Sequence, residues 1–192
     1  MDIAIIGTGF IGTTLGRALT DSGHQISFGS RHPDDDQVAI PGAHIAPIGD
    51  AISRSDVIIL AIPGAAVADL SSRYEEDLAG KLVIDATNRM GEPVANSRAM
   101  LPSTVRYARA FNTLGGENFA DPVFSEGRAD MFFSAPERDR VLVEGVIDGV
   151  GLRPVYVGED QEAIIDALFQ LWIALALTQG RGRRIALRLL EN

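Results

Sequence analysis

The sequence contains no cysteine. That absence excludes disulfide bonds, thiolate nucleophiles and zinc sites built on thiolates. It also fits a reducing compartment, because secreted domains of modest size commonly depend on disulfides. Stability therefore has to come from a hydrophobic core, and a chain of 192 residues is long enough to bury one. A single domain spanning residues 1–192 is the prediction.

Positive charge is scarce as well. The chain has 17 Lys and Arg residues against 26 Asp and Glu residues, which gives a formal net charge of −9. An acidic chain repels nucleic acid and anionic lipid, and only the short stretch 181–184 concentrates basic residues. We therefore expect neither a nucleic-acid partner nor a membrane-surface partner.

Long apolar runs are also missing. The best candidate, residues 163–177, is interrupted by Asp166 and Gln170 and is shorter than the roughly 20 residues that a membrane-spanning helix needs. The start of the chain, Met1-Asp2-Ile3-Ala4, lacks the basic region of a signal peptide. These features predict a soluble, cytoplasmic protein.

Short apolar runs that alternate with helical patterns are what the sequence does contain. The spacing predicts strands at residues 2–6, 25–28, 44–46, 57–62, 81–85, 105–109, 130–134 and 154–157. It predicts helices at residues 10–21, 49–55, 65–74, 137–150, 161–178 and 183–190. This alternation predicts an α/β fold of the Rossmann type, a doubly wound and mostly parallel sheet with a C-terminal helical segment at 160–192.

The first predicted strand runs into a glycine-rich loop. Gly7-Thr8-Gly9-Phe10-Ile11-Gly12 fits the pattern G-x-G-x-x-G between a strand and a helix, which is the context of a dinucleotide-binding loop. Gly7 permits the tight turn, Gly9 leaves the backbone open to a pyrophosphate, and Gly12 lets the helix pack close to the strand. The helix N-terminus then offers N–H groups to the phosphates. A glycine-rich turn in some other α/β protein is the alternative.

The end of the second predicted strand distinguishes NAD from NADP. NAD sites usually place Asp or Glu about 20 residues after the loop, where the carboxylate binds the ribose 2′-hydroxyl. This chain has Gly29-Ser30-Arg31 instead, and the planar fork of Arg suits a phosphate. NADP(H) is therefore the predicted cofactor, unless Arg31 is a plain surface residue. The acidic run 34–36 would repel a 2′-phosphate if it folded over the site.

Two asparagines follow predicted parallel strands. Asn88 comes after the strand at 81–85 and Asn112 after the strand at 105–109. Ligands of open α/β sheets bind outside the carboxyl ends of the strands, so both are candidate binding residues, although Asn is also common in ordinary turns. Asp85 is expected to hold loop N–H groups rather than to act as a base. No residue pattern predicts a metal site, and no catalytic acid–base pair is assigned.

Several of these segments resemble the coenzyme F420-dependent NADP oxidoreductase family. They are residues 4–31, Ala61-Ile62-Pro63, residues 83–88, the run AFNTLGGENFADP at 110–122, and parts of residues 171–183. The chain departs from the family at Arg89-Met90, where proline usually follows Asn88, and at Arg109, where lysine is usual. The resemblance spans nearly the whole chain, and the run at 110–122 is its most specific part.

The resemblance implies hydride transfer between NADP(H) and a second redox ring, which is a deazaflavin in the type case. It also implies a set of cofactor-binding positions: Thr8, Gly9, Phe10 and Ile11 at the pyrophosphate, Ser30 and Arg31 at the 2′-phosphate, Ile62 and Pro63 beside the ribose and phosphates, and Thr87, Asn88 and Asn112 near the nicotinamide. The expected partner is a small-molecule acceptor, either F420 or a flavin. A flavin or ferric reductase and a non-catalytic NADP(H)-sensing module are the alternatives. An enzyme would need a second-ring site opening at Asn88, Asn112 and Met131.

The apolar helix predicted at 161–178 has two interpretations. A helix that is apolar nearly all round is typical of a buried core element. The same helix also fits a homodimer interface with Phe169, Leu171 and Trp172 as anchors. Members of the resembled family commonly form homodimers, and both interpretations stay open at this point.

Overall fold

Strands and helices alternate over much of the described chain. The computed structural model describes residues 1–35, 38–88 and 97–190. The chain divides into two units, Met1–Ala108 and Arg109–Asn192. That residues 1–192 form one domain stays a prediction.

The first unit is built on a six-stranded sheet. Its strands are β1 (Asp2–Ile6), β2 (Gln25–Ser30), β3 (His44–Pro47), β4 (Val57–Leu60), β5 (Leu82–Asp85) and β6 (Arg106–Arg109), the last of which ends at the boundary with the second unit. Its helices are α1 (Phe10–Asp21), α2 (Ile48–Ser53), α3 (Val67–Arg73) and α4 (Glu75–Leu78). Every element predicted for this part of the chain is present, and among its described residues α4 and a short 3-10 helix at Ser97–Met100 were not predicted.

The order of the strands is β3-β2-β1-β4-β5-β6. β1 pairs in parallel with β2 on one side and with β4 on the other. The strands that follow β1 in the chain are therefore added first on one side of it and then on the other, so the strand order reverses at β1. All four residues of β4 are buried, as expected for a strand covered on both faces of the sheet. The predicted class, a doubly wound α/β sheet of the Rossmann type, is confirmed. In such sheets the ligand crevice lies outside the carboxyl ends of the strands at the reversal.

Helix α1 packs unusually close to the sheet. A Cβ atom at Gly16 would come within 2.3 Å of the Phe28 ring of β2, so glycine is needed for this approach. Leu15 and Leu19 on the same face of α1 are fully buried. The close packing fixes the start of α1, and with it the glycine loop, against the ends of the strands.

The second unit contains a smaller pair of parallel strands. Its elements are α5 (Glu117–Ala120), the hairpin of β7 (Val123–Phe124) and β8 (Gly127–Arg128), β9 (Asp130–Phe133), α6 (Arg140–Gly149), β10 (Arg153–Tyr156), α7 (Glu162–Ile173) and a π-helical turn at Ala174–Thr178. β9 and β10 pair in parallel with α6 as the crossover, and they form a two-stranded sheet of their own.

Helix α7 has one buried and one exposed face. Phe169 and Trp172 are each 3% exposed and pack inside the unit, whereas Leu171 is 44% exposed. The first two are therefore core residues, and only Leu171 presents the free surface that an interface anchor needs. No helix in the described ranges is both long and apolar enough to cross a membrane.

The helix predicted at 183–190 is wrong, because these residues form neither helix nor strand. Contacts with other elements replace the backbone bonds of a helix. The Asn118 side chain donates to the carbonyl oxygen of Arg183, and the Asp130 carboxylate accepts the backbone N–H of Leu189. Since tertiary partners satisfy these backbone groups, the apolar spacing of the segment does not determine its conformation.

Candidate functional site

Three glycines shape the loop between β1 and α1, each for a different reason. Gly7 has a φ of 118°, and a Cβ there would lie 2.5 Å from the carbonyl oxygen of Ala61. A Cβ at Gly12 would lie 2.1 Å from the carbonyl oxygen of Gly7. A Cβ at Gly9 would meet no atom of the described chain within 4 Å. The fold thus requires Gly7 and Gly12, whereas Gly9 leaves open space above the backbone, as a bound pyrophosphate needs.

The N-terminus of α1 faces this loop. Gly9 is the N-cap residue, and no side chain among the described residues caps the helix. Most helices use a Ser, Thr, Asp or Asn side chain there, so the first-turn N–H groups of α1 lack that acceptor. A helix N-terminus of this kind, with its positive dipole end, favours an anion.

A cleft of about 480 Å³ opens where β1, β2 and β4 end. This volume lies within the range of roughly 300–1,000 Å³ that is usual for small-molecule sites. The lining comes from the glycine loop, from the end of β2, and from the segment between β4 and the end of α3. These residues are Ile6, Gly7, Thr8, Gly9, Gly29, Ser30, Arg31, His32, Ile48, Ala61, Ile62, Pro63, Ala66, Asp69, Leu70, Arg73 and Tyr74.

The cleft brings together residues that the sequence predicted to bind the cofactor. Those that line it are Gly7, Thr8, Gly9, Ser30, Arg31, Ile62 and Pro63. Phe10, Ile11 and Gly12 form the first turn of α1 next to the loop and do not line the cleft. The position of the cleft is the one that the strand order predicts, and the binding roles of these residues stay predictions.

The turn after β2 presents Arg31 to the cleft. Ser30 is 7% exposed, and its Oγ accepts the backbone N–H of His32 at 2.9 Å, which fixes the turn. Arg31 is exposed and lines the cleft. Of the acidic run 34–36, the first two residues are exposed and do not line the cleft, and Asp36 lies outside the described residues. The described part of that run therefore does not fold over the site.

The α3 side of the cleft was not predicted from the sequence. Asp69 and Arg73 line it, and Arg73 Nε donates to Asp69 Oδ1 at 3.0 Å. An Asp–Arg pair four residues apart in a predicted helix was visible in the sequence as a helix-stabilising pair. The sequence pattern does not indicate that this helix face points into the cleft, because the orientation depends on how the crossover packs.

The end of β5 is held by Asp85. Its buried carboxylate accepts the backbone N–H of Thr87 at 2.8 Å through Oδ1. The expectation that Asp85 holds a loop N–H group is confirmed. Thr87 is buried and Asn88 half-buried. Arg89 and Met90, where the chain departs from the family pattern, lie outside the described residues.

Asn112 belongs to the second unit and is fully buried. The residue before it, Phe111, has a φ of 65°, and its N–H donates to the Met131 sulfur at 3.1 Å. A left-handed backbone at a bulky residue costs about 1–3 kcal/mol and persists where the surroundings impose it. Met131 is itself fully buried, and the second-ring site expected at Asn88, Asn112 and Met131 stays a prediction.

The first half of the chain matches a known family. Residues 2–89, which include the glycine loop, Ser30-Arg31 and the end of β5, match the model of a family described as NADP oxidoreductase, coenzyme F420-dependent. A glycerol-3-phosphate dehydrogenase (NAD(P)+) of Pseudomonas syringae pv. tomato is 23% identical over 210 residues, which cover 99% of this chain and 60% of that protein. The chain thus spans about three fifths of the length of the curated relatives it matches.

Solved structures share the fold. A proposed F420-dependent NADP reductase of Arthrobacter sp. FB24 has a TM-score of 0.84 at 23% identity, with all of both chains covered. A hypothetical protein of Sinorhizobium meliloti has a TM-score of 0.71 at 26% identity, covering 100% of this chain and 96% of that one. An imine reductase of Aspergillus terreus, in complex with NADPH4, has a TM-score of 0.68 at 26% identity, covering 93% of this chain and 63% of that one.

Proposed function

We infer that this chain, which over residues 2–89 matches the model of the F420-dependent NADP oxidoreductase family, transfers hydride between NADPH and a second redox ring of F420 or flavin type. The family match and the curated relatives support an NAD(P)-dependent oxidoreductase, and the choice of NADP and of the acceptor is the finer part of the proposal. The observation that carries it is the shared cleft of the glycine loop and Arg31. When bound, the nicotinamide supplies the hydride chemistry.

The pyrophosphate is assigned to the glycine loop. The open space over Gly9 would let the phosphates approach the backbone. Thr8 lines the same cleft. The N–H groups of Phe10 and Ile11, in the first turn of α1, would stabilise the negative charge. Ile62, with Pro63 after it, lines the cleft beyond β4 and would contact the ribose and phosphates.

The 2′-phosphate is assigned to Ser30 and Arg31. Arg31 lines the cleft, and its guanidinium makes no hydrogen bond with the described residues, so its donors are not engaged by the described part of the chain. Charge-assisted bonds from a guanidinium to phosphate are among the stronger hydrogen bonds in proteins. The end of β2 carries no carboxylate that would favour a free 2′-hydroxyl.

Within the first unit, the nicotinamide is assigned to Thr87 and Asn88, and the role of Asn112, in the second unit, stays what the family resemblance implies. Asp85 holds the Thr87 N–H, which fixes the loop after β5 independently of any ligand. Asn112 follows the strained Phe111, and strain of this kind clusters at functional sites. Thr87 and Asn88 would bind and orient the nicotinamide ring, since positioning is what hydride transfer chiefly requires of a protein.

The acceptor can be identified by stopped-flow oxidation of NADPH against a panel of F420, FMN, FAD, a ferric chelate and a cyclic imine. We expect saturable oxidation with F420 or a flavin. Turnover with the ferric chelate alone would favour a ferric reductase, and turnover with the imine alone would point to imine reduction. Binding of NADPH without turnover by any acceptor would favour a sensing module. Gly9→Glu is the matched control, because a Cβ at Gly9 meets no described atom within 4 Å and the added carboxylate would repel the phosphates.

We also propose that the protein is a homodimer that uses the exposed face of α7 and the turn after it. Ile164, Leu171 and Leu177 are 45%, 44% and 43% exposed along this face. Sedimentation velocity should show a dimer that Leu171→Glu converts to a monomer. Val141→Glu is the control, because Val141 is 78% exposed on α6. A parent protein that sediments as a monomer would contradict the proposal.

A further inference from the structure

Two arginines from different elements line the cleft. Arg31 follows β2, whereas Arg73 is the last residue of α3. Arg73 donates through Nε to Asp69 at 3.0 Å and makes no other hydrogen bond within the described ranges. A guanidinium has five N–H donors, so the Nη1 and Nη2 groups of Arg73 remain available to a ligand.

We propose that Arg73 is a second ligand of the 2′-phosphate and therefore a determinant of the choice between NADPH and NADH. The inference rests on the proposed function, which assigns the 2′-phosphate to this cleft through Ser30 and Arg31. Arg73 is a specificity residue in this proposal and has no part in hydride transfer.

The charges of the side chains that line the cleft support a role for the Arg73 guanidinium beside that of Arg31. A phosphate monoester carries a charge of about −1.5 to −2 at neutral pH, which one guanidinium neutralises only in part. Among the lining residues, the Arg and Asp side chains, which carry charge at neutral pH, are Arg31, Arg73 and Asp69. Without Arg73, the single positive charge of Arg31 would be cancelled by the carboxylate of Asp69. With Arg73, the lining keeps one net positive charge, as a bound phosphate requires.

The ion pair with Asp69 leaves Arg73 free to turn toward a ligand. Both side chains are 67% exposed, and exposed pairs at this helical spacing contribute little to stability. Asp69 therefore keeps the guanidinium at the cleft without holding it strongly. The pair can persist through Nε while Nη1 and Nη2 bind phosphate oxygens, since the donors point in different directions.

The test compares ligands that differ only in the 2′-phosphate. Dissociation constants are measured by calorimetry for NADPH and NADH, and for adenosine 2′,5′-bisphosphate and adenosine 5′-monophosphate, which need no catalysis. Arg73→Ala should weaken both 2′-phosphorylated ligands on the order of tenfold, the scale of one charge-assisted bond. The two ligands without that phosphate should be nearly unaffected. Arg54→Ala is the matched control, since Arg54 is exposed in the same unit and does not line the cleft.

The outcomes separate this inference from the function on which it rests. If Arg73→Ala weakens all four ligands alike, Arg73 acts on the adenine or on the cleft in general, and the inference is overturned. No change with any ligand overturns it as well. In either case Arg31→Ala still reports on the proposed function by itself. If Arg31 and Arg73 bind the same phosphate, the Kd for NADPH of the double variant should rise by less than the product of the two single-variant increases. An increase equal to that product would count against a shared phosphate.

Discussion

The Tyr107 hydroxyl donates a 2.7 Å hydrogen bond to Oδ2 of Asp85, whose Oδ1 accepts the backbone N–H of Thr87. This pairing connects β6 to the loop after β5, where we place the nicotinamide. Asp85 is fully buried and Tyr107 is 7% exposed, so the bond forms away from water, where an unmade hydrogen bond is costly. The fold itself therefore positions the loop.

Tyr107→Phe should destabilise the protein by about 1–3 kcal/mol, since it removes the donor from a buried carboxylate oxygen. Urea unfolding gives the free energy of unfolding directly. Tyr74→Phe is the control, because the Tyr74 hydroxyl makes no hydrogen bond with any described residue. An equal decrease in the free energy of unfolding of the two variants would show that the Tyr107–Asp85 hydrogen bond does not stabilise the protein.

The glycine loop offers a contrast between stability and binding. Gly12→Ala should cost about 1–3 kcal/mol of folding stability by overpacking, because its Cβ would lie 2.1 Å from the Gly7 carbonyl oxygen. Gly9→Ala should change stability by at most about 1 kcal/mol, the scale of an N-cap substitution, and should still weaken NADPH binding. Thermal unfolding and NADPH titration of both variants check this. Comparable destabilisation by both substitutions would contradict the assigned roles.

Local pattern predicted much of the lining of the cleft, and the binding roles of these residues stay predictions. The glycine loop and Ser30-Arg31 sit at strand ends whose positions follow from apolar runs and turn residues alone. Arg73 could not be found in this way, because its placement depends on how α3 packs over β4. The helix predicted at 183–190 is wrong for a related reason, since side chains such as that of Asn118 form hydrogen bonds with the backbone of this segment. Sequence periodicity carries no information about such distant partners.

Arg109 forms a buried ion pair that the sequence alone did not reveal. Its Nε and Nη2 donate to Asp166 Oδ1 at 3.0 and 2.8 Å, and the Arg109 side chain is 3% exposed. Asp166→Asn should lower the free energy of unfolding by about 3 kcal/mol, since it leaves a buried guanidinium without its carboxylate. Asp148→Asn, which breaks the exposed pair with Arg128, should cost less than about 1 kcal/mol. Similar decreases in the free energy of unfolding of Asp166→Asn and Asp148→Asn would show that burial does not determine how much an ion pair contributes to stability.

The contact between Glu117 and Arg183 gives a pH dependence. The hydrogen bond from Arg183, at 2.7 Å, lowers the pKa of Glu117 below its usual 4.5. A carboxyl group with a lowered pKa adds stability above its unfolded pKa, and that stability is lost as the pH falls through the folded value. Glu117→Gln should therefore lower the free energy of unfolding at pH 7 by less than about 1 kcal/mol for so exposed a pair, which would appear as a slightly lower Tm.

Melting curves of Glu117→Gln and the parent protein between pH 7 and pH 3 test the sign of this effect. The gap in Tm should narrow once the pH drops below the usual pKa of Glu. A gap that stays constant over this range would show that the ionised form of Glu117 is not what stabilises the contact with residues 183–190.

Selection of NADP(H) by Arg31 is tested most directly by titrating the parent protein and Arg31→Ala with NADPH and NADH. We predict that the parent binds NADPH more tightly than NADH. Arg31→Ala should lose on the order of 2 kcal/mol of NADPH binding, the scale of a lost charge-assisted bond and roughly 30-fold in Kd, with NADH nearly unchanged. Equal dissociation constants for the two dinucleotides in the parent, or equal weakening of both by Arg31→Ala, would contradict the assignment.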